Sequence, residues 1–368
     1  MGSRIIPIEP SAAAASDPLR QRWVLSATLL LFVAGFFYLP TLEIFQPNVT
    51  DQLFNESIAP VRWRENFTSY FISIVLEAAP YMVLGAFLSG LIEILVPSQW
   101  LPDMARRLGR LGIPAVVLLA PLFPICECGV VMVARRLLRK GLPMGHTIAY
   151  LLAAPILNPV VLGGTWLAFF RDPLYPLMRG AGAFFIAIAL GLLLHRPFTR
   201  NALREGWRGV DHPDHGLAGQ GWLERGRHLL EHVRTDFLDM GLYFLFGVFL
   251  ASCLKTFVDW EWLDQLGGGP FTGPLAMMGA AFVMSLCSEA DAFVAASFIE
   301  FDMYAHTAFL VLGPMIDIKL LLMYQSLFRT RHIALFALAV VTAVSLYVAL
   351  LMLLPEGFLD WFSMRGMM

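Results

Sequence analysis

Charged residues are scarce in this chain, because Asp, Glu, Lys and Arg make up 15% of its 368 residues while 58% of the residues are hydrophobic. A soluble domain carries roughly one quarter charged residues. The mean hydropathy is +0.66, and several apolar runs reach the roughly 20 residues that a helix needs to cross a bilayer. The composition therefore excludes an ordinary soluble domain and predicts an all-α polytopic membrane protein.

Cysteine is also rare, and the four residues of the whole chain are Cys126, Cys128, Cys253 and Cys287. Four cysteines are too few for a disulfide scaffold, and Cys126 and Cys128 are poorly placed to bond each other. The sequence also lacks a phosphate-binding loop, a Ser/His/Asp arrangement and a nucleotide motif. We therefore expect neither an enzyme nor an ATP-driven pump, and we predict no catalytic residue, metal site, cofactor or nucleic-acid partner.

Hydropathy and charge divide the chain into segments. The first apolar run follows Arg20 and Arg22 and is not followed by a small-residue cleavage site, so we expect a retained helix rather than a signal peptide. The predicted segments are a cytoplasmic tail (1–22), a first transmembrane helix (23–39), a first membrane repeat (67–195), a cytoplasmic linker (196–227), a second membrane repeat (228–355) and a C-terminal tail (356–368).

Two apolar runs are interrupted by residues that an ordinary membrane-spanning helix does not need. The first interruption, Pro121 to Gly129, reads Pro-Leu-Phe-Pro-Ile-Cys-Glu-Cys-Gly, and the second, Ser285 to Asp291, reads Ser-Leu-Cys-Ser-Glu-Ala-Asp. Non-helical backbone at membrane depth is tolerated only where it is buried in protein or lines a cavity. These interruptions therefore predict a functional site.

The two interruptions belong to an internal repeat, which is the first feature to look for in a chain of this kind. Three pairs of blocks match after small insertions: Leu76–Tyr81 with Leu238–Tyr243, Cys126–Gly129 with Cys287–Ala290, and Ala154–Asn158 with Gly313–Asp317. The predicted fold is therefore two inverted repeats, each with a broken or re-entrant helical hairpin, plus an N-terminal helix.

The inverted orientation is predicted from charge, because cytoplasmic loops carry an excess of Lys and Arg. The basic clusters at 106–110 and 135–140 share the side of the linker only if the broken segments re-enter the membrane instead of crossing it. The second broken segment has acidic flanks, as expected outside: Asp259, Glu261, Asp264, Glu300 and Asp302. This model has seven full spans and a cytoplasmic N-terminus, as in transporters that bind substrate near the midplane. The alternative is nine plain spans with parallel repeats.

Polar side chains in the breaks are the candidate site residues. An ionisable group in a membrane usually marks a substrate or proton path, so Glu127 and Glu289 are candidate proton carriers. The alternative is a buried acid bonded to the hairpin backbone. Asn158 and Asp317 occupy matched positions after prolines, where they line a polar pocket or repair the broken helix. Lys319 is interpreted either as the partner of Asp317 or as a side chain that reaches the membrane surface.

The segment Ser288–Asp291 has the pattern of a capping box, a hydroxyl followed three residues later by an acid. It predicts a helix that begins at membrane depth, whose free N–H groups would suit an anion or a lone-pair donor. Cys126 and Cys128, alone or with Cys287, are candidate soft ligands that would suit a trivalent arsenic species. The alternative is that these buried cysteines act only as small hydrophobic residues.

Four blocks of the sequence resemble a family of bacterial predicted permeases that includes organoarsenical (methylarsenite) efflux permeases. They are Pro124–Gly129, Ala153–Pro159, Cys287–Val294 and Leu312–Lys319, and the resemblance covers residues 70–355. In the arsenical exporters, membrane cysteines are implicated in handling trivalent methylated or aromatic arsenicals. Cys126 and Cys128 fall on that cysteine block, whereas Glu127 takes a place where the family more often has a small residue.

The predicted function is a multi-pass permease of the bacterial inner membrane. It would move a small solute by alternating access through a midplane site, with efflux of trivalent organoarsenicals as the specific hypothesis and protons as the coupling ion. The predicted substrate-binding residues are Cys126, Glu127, Cys128, Asn158, Cys287, Ser288, Glu289, Asp291 and Asp317. Two alternatives stay open, a permease or channel for another small solute and a membrane thiol-redox protein.

Overall fold

The computed structural model describes residues 59–97, 100–122, 125–195, 222–257, 269 and 271–353. The predicted N-terminal tail and first helix, the acidic residues at 259–264, most of the linker and the C-terminal tail lie outside these residues. The described part is built from helices, and the prediction of an all-α polytopic membrane protein is confirmed.

The described helices are numbered here in chain order. They are α1 (Ala59–Leu95), α2 (Trp100–Leu108), α3 (Gly112–Leu119), α4 (Glu127–Arg139), α5 (Met144–Ala153), α6 (Pro159–Ala168), α7 (Leu174–Leu193), α8 (Trp222–Phe257), α9 (Thr272–Met284), α10 (Asp291–Ser297), α11 (Met303–Leu312), α12 (Ile318–Tyr324) and α13 (Thr330–Met352). Short 3-10 turns cover Gly109–Leu111 and Ala120–Leu122.

Four of these helices are long and apolar enough to cross a membrane: α1, α7, α8 and α13. Only 28–44% of the residues in their most apolar windows are buried inside the protein. Most of their side chains therefore face outward, as expected for helices surrounded by lipid. Two of the helices extend beyond the predicted membrane repeats, because α1 begins at Ala59, before the predicted first repeat at 67–195, and α8 begins at Trp222, inside the predicted linker. Polar residues with adequate helix propensity extend both helices beyond their apolar parts.

The remaining apolar helices are short and come in pairs. The helices α5 and α11 have 10 residues each, which is about 15 Å, or roughly half of the bilayer core. The breaks after them are closed by side-chain caps, because the Asn158 carboxamide oxygen accepts a 2.9 Å bond from the Val160 amide and the Asp317 carboxylate accepts a 2.6 Å bond from the Leu320 amide. The apolar runs that contain Asn158 and Asp317 are therefore each divided into two short helices joined by a turn.

The first interrupted segment, α3 with α4, returns to the side on which it begins. A Cβ added to Gly112 at the start of α3 would lie 2.5 Å from the His146 ring at the start of α5. A Cβ added to Gly141, just after α4, would lie 2.8 Å from Pro102, which precedes α3. The backbone of Gly191 near the end of α7 lies at the same place, against Gly145. The segment is thus a hairpin whose open end is near the C-terminal end of α7.

The second interrupted segment, α9 with α10, has its open end elsewhere. The His306 ring at the start of α11 lies 3.2 Å from the Phe298 carbonyl, just after α10. The same ring is 5.3 Å from the Phe169 ring, which stacks at 3.8 Å on Tyr175 near the start of α7. The end of α10 therefore lies near the N-terminal end of α7, whereas the first hairpin opens near its C-terminal end, and α7 is a 20-residue helix that is about 30 Å long.

Candidate functional site

The tips of the two hairpins meet inside the protein. Glu127 is the first residue of α4, and one of its carboxylate oxygens accepts bonds from the Ser288 hydroxyl at 3.0 Å and the Ser288 amide at 3.3 Å. Both residues are almost fully buried, with 2% of Glu127 and 1% of Ser288 exposed. A buried carboxylate needs such donors, because an unpaired charge in a protein interior is strongly unfavourable.

Cysteine side chains from both tips lie at the same place. The Cys126 and Cys287 sulfurs are within 4.8 Å of each other, and Cys128, two residues after Cys126, is also buried. The Cys287 thiol donates to the Glu289 carboxylate at 2.8 Å and lies 3.8 Å from the Glu127 carboxylate. All three thiols are free and buried.

Soft ligand atoms in this cluster are close enough to hold one centre. Donor atoms of Cys126, Glu127 and Cys287 all lie within 4.8 Å of one another. Two sulfurs and a carboxylate oxygen suit a soft, thiophilic centre better than a hard cation. Cys253 is not among these donors; it lies on α8 and is half-buried.

Lys319 joins the cluster from α12. Its ammonium lies 2.8 Å from the Glu127 carboxylate and 3.5 Å from the Asp317 carboxylate. The same ammonium donates to the Ser285 and Leu286 carbonyls at 3.0 and 3.1 Å. Its side chain is 1% exposed. The interpretation that it reaches the membrane surface is therefore wrong, and its closest acid is Glu127.

Asp291 is held by Arg179, a residue that the sequence analysis missed. The two guanidinium nitrogens of Arg179 lie 2.9 and 2.7 Å from the two Asp291 oxygens. The Arg179 side chain is 0% exposed, and it also donates to the Thr165 hydroxyl and the Ser288 carbonyl. An arginine within the apolar run that forms α7 was the available signal, because charged residues in membrane spans are rare and usually paired.

The predicted capping box at Ser288–Asp291 is wrong as a hydrogen-bonding pattern. The helix α10 does begin at Asp291, but its N-cap is Ala290 and it has no side-chain cap bond. The Ser288 hydroxyl instead donates to Glu127 on the other hairpin, and the Asp291 carboxylate faces Arg179. Both polar groups therefore connect separate elements.

The predicted site residues are thus partly brought together. Cys126, Glu127, Cys287 and Glu289 form one cluster at the tips, Cys128 is buried two residues after Cys126, and Asp317 lies at the edge of the cluster beside Lys319. Asn158 is buried, but its described hydrogen bond is the cap of α6. Asp317 caps α12 in the same way.

A second buried polar network lies on the α4 leg of the first hairpin. Arg136 contacts the Asp236 carboxylate at 2.6 Å and the Glu93 carboxylate at 3.2 Å. The Ser89 hydroxyl donates to Asp236 at 2.8 Å, and Lys140 donates to the Glu93 carbonyl at 2.8 Å. These bonds tie α4 to both α1 and α8.

Comparison with known proteins gives the family. Residues 64–353 match the model of a family described as "Predicted permease". The chain is 37% identical over 278 residues to UPF0718 protein YcgR of Bacillus subtilis (strain 168), which covers 75% of this chain and 93% of that protein. It is also 37% identical over 268 residues to a protein of Streptococcus mutans serotype c named "Putative two-component membrane permease complex subunit", covering 72% and 87% of the two chains.

A more distant relative is UPF0718 protein YraQ of Escherichia coli (strain K12), which is 28% identical over 165 residues, or 41% of this chain and 45% of that protein. No solved structure gives a significant match to the chain. The family model covers most of the chain, and the Streptococcus mutans relative is also named as part of a permease. The chain therefore belongs to the predicted permease family of membrane proteins.

Proposed function

We propose that this chain is an inner-membrane permease that exports trivalent organoarsenicals through the thiol cluster at its hairpin tips. One observation carries the proposal: Cys126 and Cys287, from two separate hairpins, meet beside Glu127 in a buried site. Soft thiolate ligands favour soft, thiophilic centres. A site with this composition is better suited to such a substrate than to a sugar or a hard ion.

The chemistry of binding balances without an external reactant. A trivalent arsenical with one organic group carries two hydroxyl groups on arsenic. Two thiols form two sulfur–arsenic bonds while two arsenic–oxygen bonds break, and each thiol proton leaves with a hydroxide as water. Release is the reverse reaction, in which water attacks arsenic and both thiols regain their protons. Because the exchange is reversible, the thiols can act as a carrier site instead of a trap.

The arrangement of the hairpins supports alternating access. They open at opposite ends of α7 and touch at their tips, as expected of inverted repeats around a midplane site. The open end of the first hairpin lies beside α2, which carries Arg106 and Arg107. Because basic loops face the cytoplasm, we assign this end to the cytoplasm. The parallel nine-span alternative would require each segment to cross, which these returning hairpins disfavour.

Protons are part of the proposal as the coupling ion. The candidates remain Glu127 and Glu289, which both contact the Cys287 thiol. Both also accept a bond from the Ser288 hydroxyl. Among the described contacts, the two acids differ in that Glu127 is also paired with Lys319. The name of the Streptococcus mutans relative also motivates a search for a second subunit by co-purification.

A membrane thiol-redox protein is the second candidate, and the closeness of the Cys126 and Cys287 sulfurs favours it. The two functions differ in what they need. Redox chemistry requires a thiol pair and no transported solute, whereas transport of another solute would tolerate loss of the cysteines and still require Glu289.

The test measures growth protection and cellular accumulation in arsenical-sensitive cells exposed to trivalent methylarsenite. Native chain is compared with Cys126→Ser, Cys128→Ser and Glu289→Gln, and Cys253→Ser is the matched control because that thiol lies outside the cluster. We expect lower accumulation with the native chain and the control, and loss of protection with the two cluster cysteine variants. Unchanged methylarsenite levels with the native chain would refute the arsenical substrate.

A further inference from the structure

We propose that Lys319 is the positioning residue that sets the distance between the thiols of the two hairpin tips. The identity of the bound substrate in this inference rests on the proposed function. The positioning role itself rests on the contacts of Lys319, and it is tested without any arsenical.

Lys319 contacts both tips at residues next to their cysteines. On the first tip its ammonium is 2.8 Å from the carboxylate of Glu127, the residue that follows Cys126. On the second tip it donates to the carbonyls of Ser285 and Leu286, the two residues that precede Cys287. One ammonium group therefore fixes the backbone on one side of the gap and the side chain on the other.

The bonds to Ser285 and Leu286 also explain how the second tip holds an unusual backbone. Ser285 ends α9 in a left-handed conformation with φ of 47°, which is uncommon for a residue with a side chain. Carbonyls at a helix end lack intrahelical partners. Lys319 supplies donors to them, so removing its ammonium would free the segment that carries Cys287.

The internal repeat gives no second lysine for this task. Because Asp317 aligns with Asn158, the counterpart of Lys319 in the first repeat is Val160, which cannot donate from its side chain. A single residue of the second repeat therefore serves both tips. This asymmetry is what we expect of a residue that sets the spacing of a shared site.

The helix α8 packs closely against Lys319 at Gly247. A Cβ added to Gly247 would lie 2.7 Å from the Lys319 Cα, closer than side-chain carbons approach backbone in real structures. Gly247→Ala would therefore displace Lys319 while leaving its charge in place. Gly241 lies on the same helix, and a Cβ there would meet nothing within 4 Å, so Gly241→Ala is a matched control.

The experiment is disulfide trapping in native membranes. The full chain carries Cys128→Ser and Cys253→Ser, which leaves Cys126 and Cys287, together with a protease site inserted in the linker at 196–221. Copper phenanthroline accepts two electrons from the thiol pair, which loses two protons and forms one disulfide. After proteolysis, the fraction of halves that stay linked on a non-reducing gel reports how often the two thiols meet.

We expect Lys319→Met and Gly247→Ala to lower the initial rate of linkage by about tenfold or more, since a misplacement of about 1 Å can cost about 100-fold in rate. Two controls should keep the parental rate of linkage. One is Gly241→Ala, and the other is Lys255→Met, which removes from another part of α8 an ammonium that lies over the Tyr70 ring of α1. The double variant Lys319→Met/Glu127→Gln removes the uncompensated buried carboxylate, and we expect it to fold but still to link slowly.

Linkage at the parental rate in the double variant would overturn the inference, because Lys319 would then only neutralise Glu127. The inference would also be overturned if the two single variants, Gly247→Ala and Lys319→Met, both formed the disulfide at the parental rate. The proposed function fails separately: if the native chain exports no arsenical while linkage depends on Lys319, only the substrate is wrong. If export is seen and linkage ignores Lys319, only the positioning role is wrong.

Discussion

Breaking the ion pair between Arg179 and Asp291 should strongly destabilise the protein, because removal of one partner leaves the other charge buried without compensation. The Arg179 side chain is 0% exposed, and it makes two bonds to Asp291 of 2.9 and 2.7 Å. Arg179→Met removes the guanidinium but leaves the carboxylate buried. Breaking a buried pair in this way costs about 3–5 kcal/mol, and loss of the bond to Thr165 adds to it.

The measurement is thermal unfolding of detergent-solubilised protein, followed by the monodisperse fraction that survives heating. We expect the midpoint of Arg179→Met to fall by roughly 5–10 °C, given a few degrees per kcal/mol for a chain of this size. The double variant Arg179→Met/Asp291→Leu should regain most of the loss, because replacing a buried pair by apolar residues is often neutral.

The matched control is Arg171→Met. Arg171 is exposed and lies 5.7 Å from the Trp166 ring, a contact worth about 0.5–1 kcal/mol at exposed sites. The reasoning would be refuted if Arg179→Met unfolded at the same temperature as this control. It would also be refuted if the double variant were less stable than Arg179→Met alone.

Two further predictions concern the first hairpin. Gly85→Ala should abolish export and destabilise the protein by about 1–3 kcal/mol through overpacking, because the added Cβ would lie 2.5 Å from the Gly129 Cα. Gly163→Ala, whose Cβ would meet nothing within 4 Å, should leave both unchanged in the same export and thermal assays. Arg136→Met should lower the free energy of unfolding by about 3–5 kcal/mol, because it leaves the buried Asp236 carboxylate without the guanidinium that lies 2.6 Å away. The control is Arg106→Met, whose side chain is 80% exposed; it should unfold at the same temperature as the native chain.

The sequence was sufficient to locate the breaks in the helices. Prolines and acids inside apolar runs, such as Pro314 followed by Asp317, are poorly compatible with a continuous span. The structure places turns there. The matching blocks and the charge pattern further predict two inverted repeats with re-entrant segments, and this detail stays a prediction.

The partners of the polar residues could not be predicted in this way. Whether Lys319 pairs with its sequence neighbour Asp317 or with the distant Glu127 depends on how α12 packs against α4, and sequence spacing carries no such information. Ser288 illustrates the same limit, because a hydroxyl near a helix start satisfies a local cap pattern equally well when its real partner lies on another hairpin. Arg179 carried a usable signal that local motifs did not capture.

The export of trivalent methylarsenite by everted membrane vesicles is the most direct test of a thiol-bridged carrier site. In such vesicles an exporter concentrates its substrate in the lumen when respiration generates a proton gradient. We predict accumulation by the native chain and by Cys253→Ser, and none by Cys126→Ser or Cys287→Ser. Equal accumulation by the native chain and the two cluster variants would contradict a role for these thiols in carrying the substrate.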